Sequence, residues 1–179
     1  RTRRNEVMFG AAGHLYVYRH MGLHFCANVV TGTPGTASAV LLRAGEVVEG
    51  VDLVRERRRR AGVTRTDVDL ARGPARLAVS LAIDLSLLGT DVVTGPAVRL
   101  RLPSDVAPFE QGPRVGVGGA GGDAARFPWR FWVPDDPTVS AFRAGTPRRT
   151  PTAARSVGSR THKGDRTDGD VPGPAGTAD

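Results

Sequence analysis

One cysteine and one lysine stand in a chain of 179 residues, and each scarcity excludes something. A lone Cys26 rules out an intrachain disulfide and any zinc site built on several cysteines. Flanked by apolar residues in a strand-like run, Cys26 reads as a small core residue. Lys163 is the single lysine, so the basic charge is carried by arginine, as in proteins from GC-rich genomes. No run of about 18 apolar residues occurs, so no transmembrane helix is expected. No signal peptide is visible. The chain is therefore read as cytoplasmic. Residues 144–179 contain only Val157 and Val171 as large apolar side chains. Such a segment buries too little surface to offset its ordering entropy and is expected to be a disordered tail.

What is present is basic and patterned. Lys and Arg number 25 against 18 Asp and Glu, a formal net charge of +7, which suits a polyanionic partner. Two runs rich in β-branched and aromatic residues, 14–19 and 23–31, flank a short Gly-containing connection, the pattern of a β-hairpin. Met21 falls near its tip. Tyr16 and Tyr18 alternate and so share one face of the first strand. A third strand is expected at 37–44. Val47, Val48, Val51 and Val54 recur at helical spacing and predict a helix over 46–60. Its end, Arg57 to Arg60, reads as a solvated, dipole-favoured terminus rather than a DNA grip. Gly73-Pro74 opens a second helix with Leu77, Leu81 and Leu85 on one face. Short strands are expected at 97–102, 114–117 and 130–133.

Three patterns are decoys. The run from Gly116 to Gly121 matches G-x-G-x-x-G, but Gly122-Asp123 and Phe127-Pro128 break the helix a dinucleotide site needs. The Thr31–Thr36 loop lacks the Gly-Lys-Ser/Thr ending of a P-loop. His14, His20 and His24 surround the hairpin without a carboxylate cluster and read as structural or DNA-facing residues.

Taken in order, RNEVMFG (4–10), AGHLYVY (12–18), GLHFCANVV (22–30), GTASAVLLRAGEVVEG (35–50), LARGPARL (70–77), RVGVGGAG (114–121) and PWRFWVPDDPTVSAF (128–142) resemble the alkyladenine (3-methyladenine) DNA glycosylase family. The pieces are weak singly; their order and spacing make the resemblance specific. It covers roughly residues 1–143, the expected domain. It implies a mixed α/β (α+β) fold: a curved, mostly antiparallel sheet, a few packed helices and a projecting hairpin that inserts into DNA.

The implied reaction is hydrolysis of the N-glycosidic bond of an alkylated purine flipped out of duplex DNA, in base excision repair by a bacterial, nucleoid-associated monomer. No metal or redox cofactor is implied. Met21 matches the family's wedge position, where a tyrosine usually stands. Tyr18 matches the tyrosine that stacks on the flipped base; read alone it is a core strand tyrosine. Tyr16 matches a supporting neighbour. Asn28 matches the asparagine that crowds the exocyclic amino group of guanine. Arg43 matches an arginine that holds the water and a phosphate; read alone it is an ion-paired strand end. The general-base glutamate is expected upstream of Arg1. The chain, with no initiator methionine, reads as N-terminally truncated and without that base, since Glu6, Glu46 and Glu49 do not occupy the family's position. Two other readings stay open: a non-catalytic protein that binds damaged bases, and a basic domain whose hairpin binds protein.

Overall fold

A computed structural model describes residues 1–145. Strands β1 (Leu15–His20) and β2 (His24–Val30) form the hairpin, and β3 (Ala39–Leu41) adds to β2, giving an antiparallel sheet of order β1-β2-β3. Helices α1 (Val51–Ala61) and α2 (Pro74–Ser80) follow. A second antiparallel sheet pairs β4 (Glu110–Gly112) with β5 (Arg130–Trp132). The architecture is mixed α/β, with neither sheet closed into a barrel.

The hairpin register places Leu15 opposite Val29 and Val17 opposite Ala27. These four side chains line one face and pack with Ala78, Ile83 and Val92 to make the core. Leu15 and Ala27 are wholly buried. Burying a side chain the size of leucine or valine stabilises the fold by about 1.5–3 kcal/mol, so this seam anchors the hairpin's base on α2. The opposite face carries the alternate residues, Tyr16, Tyr18, Cys26 and Asn28.

The turn joining β1 to β2 is tight. Leu23 N donates to His20 O at 2.9 Å, and the two residues between, Met21 (φ 49) and Gly22 (φ 70), are both left-handed. This type I′ geometry matches the twist of the flanking strands. Glycine adopts it freely, whereas methionine does so under strain.

Several expected boundaries move. Helix α1 begins at Val51 rather than at 46, because Gly50, in the left-handed region, caps a non-helical stretch. Val48 lies outside the helix and is exposed. Helix α2 starts with Pro74 in its first turn, as expected, but stops at Ser80. Ala82 turns left-handed (φ 52); Ile83 N then donates to Ala78 O at 2.8 Å and Ala82 N to Val79 O at 3.1 Å. This pair of bonds is a Schellman closure, usually built on glycine. Without glycine as a marker, the leucine spacing suggested a longer helix, yet Leu81 and Leu85 are half exposed. The third strand is three residues long. The strands expected at 97–102 and 114–117 do not form; Glu110–Gly112 pairs with β5 instead. Between them, Gly119–Gly122 is a 3-10 turn and no α-helix follows the Gly-rich run. The segment expected to be disordered lies outside the described residues apart from Ala144 and Gly145.

Candidate base pocket and DNA face

The face of the hairpin turned away from the core gathers most of the residues expected to touch DNA. Tyr16 pairs with Asn28, and Tyr18 with Cys26. The Tyr16 and Tyr18 rings stack with centroids 5.8 Å apart and planes at 28°. Tyr18 then meets the edge of His20 at 6.4 Å, so aromatic surface continues along β1 toward the turn. Asn28 is buried, and its Nδ2 donates to Tyr16 O at 3.0 Å, which fixes the amide on this face. A buried amide without such a bond would be costly. At the far end of the hairpin Met21 is 80% exposed, with Leu23 exposed beside it.

Burial first, then the neighbouring Cys26 and Tyr16, push the Tyr18 phenol up to about 12, with Arg43 acting in the opposite direction. Tyr18 therefore stays a neutral ring throughout the physiological range. Since its folded pKa lies above the unfolded value near 10, the stability it contributes is complete below pH 10. That contribution is lost as the pH rises toward 12. Tyr18→Phe should flatten this part of an alkaline melting series. An unchanged alkaline loss in the variant would mean that another group controls it.

Arg43 follows β3 and is half buried. Its guanidinium pKa is lowered, first by burial and then by Arg130, while Cys26 and Tyr18 oppose the change. Among the described residues Arg43 makes no salt bridge. Arg43 is therefore a partly dehydrated cation facing a second cation, not the ion-paired strand end that its sequence position allowed. Arg130 is buried, lies 4.6 Å over the Trp132 ring, and donates from Nη2 to Ser140 O at 2.8 Å. Its place near Arg43 had no signal in the sequence, because β3 and β5 are joined only by tertiary folding.

The candidate carboxylates stand elsewhere. Glu6 pairs with Arg1 at 2.7 Å in solvent, and Glu46 and Glu49 are exposed. Cys26 is buried, as expected, but under Tyr18 rather than in the α2-facing core. The arginine run on α1 divides. Arg59 and Arg60 pair with Glu56 in solvent, whereas Arg57 donates to Ser80 O at 2.8 Å and Arg58 is buried. Only part of the run is the solvated terminus expected. No helix among the described residues is long and apolar enough to cross a membrane.

The methylpurine-DNA glycosylase family model matches residues 1–137. A Streptomyces avermitilis relative is 52% identical over 153 residues, covering 83% of this chain and 69% of the relative. A Nocardia farcinica relative is 53% identical over 158 residues, covering 86% and 70%. One from Mycobacterium tuberculosis is 47% identical over 144 residues, covering 80% and 67%. Each carries 3-methyladenine DNA glycosylase in its name. A family match over most of the chain, joined to identities near one half, leads to one conclusion: the chain belongs to the methylpurine-DNA glycosylase family, hydrolases that remove alkylated bases from DNA in base excision repair.

Proposed function

We propose that the chain carries the DNA-binding hairpin and base pocket of a bacterial 3-methyladenine DNA glycosylase, acting as a monomer on duplex DNA in the cytoplasm. The observation that carries this reading is the hairpin register. It sets Tyr16, Tyr18 and Asn28 on one face and leaves Met21 exposed at the end of the same hairpin.

In this reading Met21 enters the base stack from the minor groove and fills the gap left by the flipped nucleotide. Extrusion costs a few kcal/mol, and an apolar wedge offsets part of it. The flipped purine lies against Tyr18. Many alkylated purines are cationic, so the neutral ring adds cation–π attraction to stacking. Asn28, held by its bond to Tyr16 O, crowds the exocyclic amino group that marks normal guanine. Arg43, without a counter-ion among the described residues, serves a DNA phosphate and the attacking water.

Breaking the N-glycosidic bond passes through an oxocarbenium-like sugar and needs a carboxylate to activate water. Among the described residues Arg43 makes no salt bridge, Glu6 is engaged by Arg1, and Glu46 and Glu49 are exposed. The chain is therefore expected to bind methylated duplex DNA with strong salt dependence and to release no base. A base-release assay under single-turnover conditions tests this. Clear excision would mean that a carboxylate of this chain serves as the base, and would overturn the division of roles proposed here. The same placement of these glutamates favours a second reading, a non-catalytic binder of damaged bases. The two separate when the chain is extended at its amino terminus by the glutamate-bearing strand that the resemblance implies. Release of methylated base identifies the glycosylase; continued silence with intact lesion binding identifies the binder.

A further inference from the structure

Where helices α1 and α2 pack, an arginine is buried with its Nε lacking a partner among the described residues. Arg58 on α1 is 5% exposed, and its Nε is buried with no hydrogen-bond acceptor among the described residues. Arg76 on α2 donates to Asp69 at 3.0 Å, and Arg72 stands 4.0 Å from the same carboxylate. The Nε of Arg72 is also buried and unpartnered, although its Nη2 donates to Val139 O at 3.1 Å. Burial, and then Arg76, lower the Arg58 pKa, while Asp69 acts the other way. The three guanidiniums thus share one carboxylate, Asp69, which Arg76 engages most closely.

Packing alone does not account for this arrangement. A buried N–H donor without an acceptor is costly, and an apolar side chain of similar length would fill the space without that cost. Guanidinium groups match tetrahedral oxyanions in fork geometry and are weakly hydrated, which suits them to a half-buried anion. Arg72 and Arg76 are partly exposed, so the cluster is open to solvent on one side. Ala44, next to Arg43, bridges to Arg72, so the cluster adjoins the segment that carries Arg43.

We propose that Arg58, Arg72 and Arg76 form a seat for a phosphate group, either a phosphodiester of the DNA backbone or a free phosphate. Asp69 orients two of the arginines and leaves Arg58 for the ligand. The seat is separate from the tyrosine face and does not depend on lesion recognition.

Two measurements test it. Thermal melting in millimolar sodium phosphate is compared with sodium chloride at equal ionic strength. Phosphate is expected to raise the midpoint by a few degrees, and Arg58→Met to abolish that rise while melting no lower than the parent in chloride. Binding to undamaged duplex is then followed across a salt series. If the seat takes a backbone phosphate, Arg58→Met and Arg76→Gln each make the log–log slope shallower by about one. A phosphate-specific rise with unchanged slopes assigns the seat to free phosphate. No phosphate-specific rise together with unchanged slopes overturns the proposal, as does an Arg58→Met protein that is less stable in both salts with unchanged slope. Should Arg58→Met fail to fold, Arg76→Gln, on a half-exposed side chain, gives the same two readings.

Discussion

Met21→Gly is expected to make the protein more stable and a poorer binder of damaged DNA. Met21 is 80% exposed, so little core packing is lost with its side chain. Its φ of 49 holds a non-glycine residue in the left-handed region, at a cost on the order of 1–3 kcal/mol. Glycine removes most of that cost and loses some of the gain to its greater freedom when unfolded. A net gain of about 1 kcal/mol would lift the melting midpoint by roughly 2–4 °C. Lesion binding should fall by about tenfold, the equivalent of some 1.4 kcal/mol, and binding to undamaged duplex by much less. Met21→Tyr should act oppositely on binding, because base–aromatic stacking is worth roughly 1–3 kcal/mol. Fluorescence anisotropy with matched lesion and undamaged duplexes, beside thermal melting, checks both variants. A Met21→Gly protein that melts lower would place Met21 in a packed role. Equal losses on both duplexes would remove it from the lesion.

Arg43→Met should likewise separate stability from binding. The parent side chain is half buried, faces Arg130, and makes no salt bridge among the described residues. Methionine keeps much of the length and removes a repulsive, partly dehydrated charge, so the melting midpoint should hold or rise. A hydrogen bond to a charged partner contributes about 1.5–3 kcal/mol, so affinity for duplex DNA should drop by roughly one to two orders of magnitude. The salt dependence should become shallower by about one unit of slope, as for the loss of one phosphate contact. A destabilised variant with an unchanged slope would return Arg43 to a structural role.

The two predictions share a cause. A methionine in a glycine conformation and an arginine without a counter-ion among the described residues each work against folding, and the molecule keeps them on the face proposed to meet DNA. Stability given up at a functional site is recovered when the misplaced group is removed, and function is lost with it.

Much of this was legible in the chain itself. Alternation of β-branched and aromatic residues placed the hairpin, because a strand's two-residue period separates its faces directly in the sequence. The same alternation put Tyr16 and Tyr18 together, and the short Gly-containing connection put Met21 at the turn. Pro74 marked the start of α2. Local signals failed where the stopping residue was atypical. Ala82 closes α2 in a conformation that glycine usually supplies, and Gly50 begins α1 after valines whose spacing had suggested helix. Motif order pointed to Asn28 and Arg43, but not to what surrounds them.

Those surroundings were decided by tertiary structure. The cross-strand register brought Asn28 to Tyr16 and Cys26 under Tyr18. Packing of β5 and the 138–142 segment brought Arg130 toward Arg43, and helix pairing buried Arg58 beside Arg76. In each case the deciding quantity is desolvation and the charge of a neighbour distant along the chain. An arginine's sequence position carries no record of whether a carboxylate, water or another arginine will face it. Only the folded chain sets that distance, and with it whether the charge is a solvated surface group or a cation held ready for phosphate.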